Sequence, residues 1–143
     1  MFNILILSHG NLAKSFYETS EMIIGKLEGV SFCGLLPGES LQEFEEQVIK
    51  LADELYTEDG LLVLIDLYGG TPNNLAIMKL LNRYQRVYLV SGLNLPILLE
   101  ALGTREILPL EDVLDSLVEV GKDGVKDVNK LVLESMECTE EDE

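Results

Sequence analysis

The only histidine of the chain, His9, follows four consecutive aliphatic residues, Ile4-Leu5-Ile6-Leu7, and Ser8, and it precedes Gly10. A second ionisable residue, Asp66, closes a similar run, Leu61-Leu62-Val63-Leu64-Ile65. Continuous apolar runs of this length read as strands buried on both faces. The carboxyl ends of such strands are where open α/β sheets place their ligands. A carboxylate beside an imidazole fixes the tautomer. Asp66 accepting the Nδ1–H of His9 would leave a lone pair on Nε2 and stabilise positive charge developing on the ring. Nε2 is then a nucleophile. If the electrophile is a phosphoryl group, its oxygens need donors. The backbone N–H groups of Gly69, Gly70 and Thr71, opening a helix in Gly69-Gly70-Thr71-Pro72, supply them with the Thr71 hydroxyl alongside. This chemistry calls for no metal and no cofactor. A phosphorylated histidine is a high-energy phosphoramidate, suited to passing its group on.

Each of these residues also has a plainer reading. A lone histidine is commonly a satisfied surface residue, but one that ends a buried strand and precedes glycine is placed for chemistry. Asp66 could serve a turn, and Gly69 to Thr71 could be a tight connection before a capped helix. The conjunction favours a site. Ser8, Tyr68, Asn94 and Pro96 are candidates to line the same crevice. Turn chemistry explains Asn94 and Pro96 equally well; Tyr68 and Met22 are either partner-facing apolar residues or packing, and Met22 is assigned to packing. A Ser8–His9–Asp66 triad fails because neighbours on a strand point to opposite faces. Thr71 as nucleophile would make a hydrolase, yet no G-x-S-x-G elbow is present. A flavodoxin-like small-molecule or nucleotide-binding module is the rival of a different class. Against it, the Ser8-His9-Gly10-Asn11 loop lacks a phosphate cradle, and the Rossmann glycine pattern is missing.

The elements that must hold these residues follow from periodicity. Asn11 caps a helix predicted over Leu12–Ile24 and ended by Gly25; Val30–Leu36 is a strand. Ser40-Leu41-Gln42-Glu43 has the form of a capping box before Leu41, Phe44, Val48, Leu51, Ala52 and Leu55 at helical spacing. Thr71 caps, and Pro72 opens, a helix reaching about Arg83. Arg86–Ser91 is a fourth strand, Pro96–Leu102 and Leu110–Val120 are helices, and Val125–Leu133 is an extended segment. Alternating strands and helices imply crossover connections, hence an α/β fold with a doubly wound, flavodoxin-like parallel sheet of order 2-1-3-4. That order makes the strands ending in His9 and Asp66 neighbours. Val125–Leu133 is expected as an antiparallel edge strand, on its own sheet or exchanged with a second subunit.

At 143 residues and 47% hydrophobic, the chain supports one core, expected over residues 1–133. Residues 134–143, ESMECTEEDE, read as an acidic, disordered tail. A formal charge of -16 excludes nucleic acid and suits a basic protein partner, although solubility alone explains acidity as well. The apolar runs are too short to cross a bilayer and no basic leader precedes them, so a cytoplasmic protein is expected. Cys33 and Cys138 are expected to be free thiols.

At these residues the sequence strongly resembles the mannose-family (mannose/fructose/sorbose) IIA component of the bacterial phosphoenolpyruvate-dependent sugar phosphotransferase system. The matching pieces are ILILSHG with His9, Glu21-Met22-Ile23-Ile24-Gly25, Pro37-Gly38-Glu39, Leu64-Ile65-Asp66, Gly69-Gly70-Thr71-Pro72-Asn73 and Ser91-Gly92-Leu93-Asn94-Leu95-Pro96. The resemblance implies that His9 accepts a phosphoryl group from the phosphocarrier HPr. It then passes the group to a IIB component on a separate chain, upstream of membrane IIC and IID subunits, which together with IIB would choose the sugar. It further implies that Asp66 orients His9, that Gly70 and Thr71 hold the phosphoryl group, and that the protein is a homodimer with an exchanged last strand. Tyr68 stands where some relatives carry tryptophan, and Thr71 replaces serine. A related phosphotransfer subunit of dihydroxyacetone kinase is the nearest alternative; Thr71-Pro72-Asn73-Asn74 and Leu93-Asn94-Leu95-Pro96 favour the transporter branch.

Overall fold

In the computed structural model, which describes residues 1–141, strand β1 (Asn3–His9) lies at the centre of a four-stranded sheet. Its neighbours are β2 (Val30–Leu35) and β3 (Leu61–Ile65), and β3 pairs in turn with β4 (Val87–Ser91). All three pairings are parallel and the order is β2-β1-β3-β4, as expected for flavodoxin-like topology. The apolar runs alternate between two cores, because successive side chains on a strand face opposite sides. Ile4, Ile6, Leu62 and Leu64 pack under α1 (Leu12–Ile24), α4 (Leu95–Thr104) and α5 (Leu110–Asp123). Leu5, Leu7, Leu61, Val63 and Ile65 pack under α2 (Leu41–Leu55) and α3 (Thr71–Lys79).

Local signals explain most boundaries. Ser40 Oγ accepts the Glu43 N–H at 3.1 Å and opens α2, whose buried stripe is Phe44, Val48, Ala52 and Leu55. Gly25, at φ +93°, ends α1. Asn11 precedes α1 without a side-chain bond; the Ala13 N–H is accepted instead by Ser8 Oγ at 2.7 Å. Gly70, not Thr71, is the cap of α3, which stops at Lys79 rather than Arg83. Beyond it the chain turns, and Arg83 forks onto Asp53 of α2 at 2.8 and 2.7 Å, with the Tyr84 hydroxyl donating to the same carboxylate. Those bonds hold Asp53 down at about 2. Met22, assigned to packing, is exposed.

The expected C-terminal edge strand is a helix. Residues Val128–Glu141 form α6, opened by Asp127 Oδ1 accepting the Lys130 N–H at 3.1 Å. Val128, Leu131, Val132 and Met136 recur at helical steps, a period hidden by the valine-rich composition that suggested a strand. Among the described residues the sheet has four strands, and no exchanged strand is present. The boundary expected after Leu133 falls inside α6. Helix therefore replaces irregular chain in the acidic stretch as far as Glu141, and the rest of that tail lies outside the described residues. Among the described residues no helix is long and apolar enough to cross a membrane.

Candidate active site

The register that sets Leu7 opposite Ile65 delivers His9 and Asp66 together at the carboxyl end of the sheet. The Asp66 N–H donates to the Leu7 carbonyl at 3.1 Å, extending the ladder one step beyond β3. Asp66 Oδ2 accepts twice from one residue, from the His9 backbone N–H at 3.0 Å and from the ring Nδ1–H at 2.8 Å. Two bonds on one oxygen fix both the strand end and the ring. The aspartate side chain is only 9% exposed, against 46% for His9, and its Oδ1 is buried without a hydrogen bond. The carboxylate therefore spends its interaction on the imidazole, in surroundings that screen it less than water does. With Nδ1 donating, the lone pair lies on Nε2.

The Nε2 edge of the ring lies over Gly70. A Cβ placed on Gly70 would come within 2.7 Å of His9 Cε1 and 3.2 Å of Nε2. Because Gly70 has φ -78° and ψ 174°, any residue could adopt its backbone, and the glycine is required for space alone. Gly69, at φ +82°, is required for conformation instead. Thr71 is the exposed first residue of α3, so the helix amino terminus adjoins Nε2. The Asn74 side chain steadies this turn by donating to the Gly69 carbonyl at 3.2 Å. Free N–H groups at a helix start favour an oxyanion.

The remaining candidates separate. Ser8 is fully buried and bound to Ala13, so it holds α1 and does not line the crevice. Asn94 Oδ1 accepts the Ile97 N–H at 3.1 Å while Nδ2 donates to the Gly121 carbonyl at 2.9 Å, which commits the side chain to capping α4 and tying it to α5. Pro96 packs against Gly124, where a Cβ would come within 2.8 Å of its Cγ. Tyr68 is 78% exposed in the loop leading to Gly69.

Two contributors were missed in the sequence. Gly34 on β2 has no room for a side chain, since a Cβ there would lie 1.8 Å from the Gly10 carbonyl oxygen. The loop after His9 reaches its position across that glycine, and an isolated glycine inside a strand was the available signal. Leu67 also lies beside Gly70, its Cδ2 3.8 Å from the same Cβ position; an exposed leucine after a strand carries no such signal. Among the described residues no group of three or more His, Cys, Asp or Glu is placed to hold a metal ion. Cys33 and Cys138 are free; burial, helped by Glu39, pushes the Cys33 thiol up to about 11.

Comparison with known proteins agrees with this geometry. Residues 3–118 match the sequence model of the EIIA-man family, described as the PTS system fructose IIA component. The chain is 35% identical over 117 residues to a fructose-specific EIIA component of Bacillus subtilis, covering 82% of this chain and 80% of that protein. It is 35% identical over 124 residues to a mannose-specific EIIAB component of Escherichia coli, covering 86% of this chain and 38% of that longer protein. A Streptococcus pneumoniae PTS IIA protein associated with a fucose utilization operon superposes with a TM-score of 0.80 at 35% identity, covering 92% and 97% of the two chains. An EIIA component from Streptococcus agalactiae gives 0.81 at 27% identity, with 91% and 99% covered. A histidine hydrogen-bonded to a carboxylate at the strand ends thus sits in a chain that belongs to the EIIA-man family, phosphotransferase-system components that carry a phosphoryl group on histidine toward a IIB component.

Proposed function

We propose that His9 Nε2 is the phosphoryl acceptor, that Asp66 orients it, and that Gly69, Gly70 and Thr71 hold the transferred group. The observation that carries this reading is the 2.8 Å bond from Nδ1 to an almost fully buried Asp66, which leaves Nε2 free beside the start of α3. The Nε2 lone pair attacks phosphorus of the phosphohistidine on HPr; the new N–P bond forms as the donor's N–P bond breaks, and the electron pair returns to the donor ring. Asp66 stabilises the positive charge gained by the His9 ring, and the N–H groups at the α3 start face the equatorial oxygens. Reversal of the same step delivers the group to a histidine or other nucleophile of IIB, and through it to the membrane IIC and IID subunits.

A charge of -16 supports a basic donor, because complementary fields speed encounter without requiring tight binding, and a carrier must release its partners. The four-stranded sheet and the helices α1 to α5 packed on it act as one phosphocarrier domain in the cytoplasm. A homodimer is supported by the exposed apolar residues Met22, Ile23 and Ile24 at the end of α1 and by Val128, Leu131 and Val132 on α6. The test is transfer of labelled phosphate from phosphoenolpyruvate through enzyme I and HPr to this protein and to His9→Ala. Acid-labile label on the wild type alone is expected. Label retained by His9→Ala, or absent from both, overturns the assignment.

A further inference from the structure

At the end of the sheet opposite His9, a cavity of about 290 Å³ opens where the strands begin. Its walls include Phe2 ahead of β1, Asp59 ahead of β3, Arg86 ahead of β4, and Arg105, where α4 ends. Three cationic groups meet there, and two are already engaged. The α-ammonium of Met1 donates to Asp59 at 2.9 Å, and Arg86 forks onto Glu111 at 2.7 Å on both arms while also donating to the Glu58 carbonyl. Arg105 is different. Its residue is 7% exposed, its Nη1 is buried without a partner, and among the described residues its guanidinium makes no hydrogen bond or ion pair. Burial pulls its pKa below the ordinary arginine value, opposed by the fields of Glu106 and Glu28.

A buried guanidinium with unused donors is costly unless something accepts from it, and arginines are rarely buried unpaired. We propose that this cavity binds a short-chain carboxylate, anchored by the fork of Arg105. The charge balance selects the ligand. One uncommitted cation faces Glu106 and the already paired Asp59 in the same cavity, which suits a single planar negative charge and disfavours a dianion. The other walls, Phe2, Ile107, Leu108 and Pro109, are apolar, so the carboxylate's alkyl end has surface to cover. This site is independent of the phosphocarrier reading, since it lies at the amino ends of the strands and His9 at their carboxyl ends.

The chain has three arginines, so the Nε–Hε resonances of ¹⁵N-labelled protein resolve the question directly. Titration with sodium propionate at constant ionic strength, with phosphate and chloride as parallel arms, is expected to shift the Arg105 resonance saturably. That of Arg83, which lies outside the cavity, should stay in place. Half-saturation by propionate should come at a concentration at least about tenfold lower than by phosphate. Arg105→Met, which removes a buried charge and should fold, is expected to lose the saturable thermal stabilisation by propionate. A response that is linear, equal for phosphate or chloride, or unchanged in Arg105→Met overturns the proposal. So does a wild-type Arg105 resonance that ignores propionate but moves in Glu106→Gln, which would assign the guanidinium to Glu106.

Discussion

Gly70→Ala perturbs the geometry around His9 with one methyl group. The added Cβ would lie 2.7 Å from His9 Cε1 and 3.2 Å from Nε2. Non-bonded carbons prefer about 3.5–4.0 Å, so the ring must retreat by about 1 Å. Its other edge is tied to Asp66 Oδ2 at 2.8 Å, and a retreat of that size breaks or bends this bond. Misplacement of a reacting group by about 1 Å costs on the order of 100-fold in rate, or about 2.7 kcal/mol of transition-state stabilisation. The fold should hardly notice. The backbone of Gly70 is extended, so alanine gains about 0.4–1 kcal/mol through the unfolded chain, while alanine at a helix cap loses a comparable amount. The assay is the rate of phosphoryl transfer from phospho-HPr, paired with a thermal melt. Transfer slowed about 100-fold with a melting temperature within a few degrees of wild type is expected. Transfer at the wild-type rate in a folded Gly70→Ala protein would refute the claim that space at Gly70 sets the position of the ring.

Other perturbations test other parts of the structure. Asp66→Ala removes a charge-assisted bond and should slow transfer about 10- to 100-fold while leaving HPr binding unchanged; equal losses in rate and affinity would count against an orienting role. Cys33, with its thiol pushed up to about 11, should react with iodoacetamide at pH 8 at least about a hundredfold more slowly than exposed Cys138 until the protein is unfolded. Asp53 sits near 2 in the folded protein against an ordinary 3.8, because of the Arg83 fork first and the Tyr84 hydroxyl second. A folded value below the unfolded one means its contribution is present above about pH 4 and disappears as pH falls toward 2. Arg83→Met should therefore flatten that dependence and raise the pH of acid unfolding, and an unchanged acid midpoint would remove Asp53 from the account.

How far the fold was legible depended on how many signals agreed. The runs before His9 and Asp66 are apolar on both faces because helices cover both, and the register of two neighbouring parallel strands then brings their polar ends together. Composition misled at Val125–Leu133, where β-branched residues outweighed the helical spacing of Val128, Leu131 and Val132 and the cap at Asp127 went unread. In the site, the pairing of His9 with Asp66 was readable because each is the first ionisable residue after a buried run. Ser8 and Asn94 were not, since one hydroxyl or amide can line a crevice or cap a helix, and only the partner decides. Gly70 was read only as an anion donor; that the ring of His9 also requires its lack of a side chain had no signal in the sequence.

The most direct test of the central claim is the position of the phosphoryl group on the ring. With a single histidine in the chain, a long-range ¹H–¹⁵N spectrum of the phosphorylated, ¹⁵N-labelled protein reports one imidazole. Nδ1 held by Asp66 at 2.8 Å predicts phosphorylation at Nε2, with Nδ1 still carrying its proton. Phosphorus on Nδ1 would mean that Asp66 releases the ring in the reacting state, and would contradict the account.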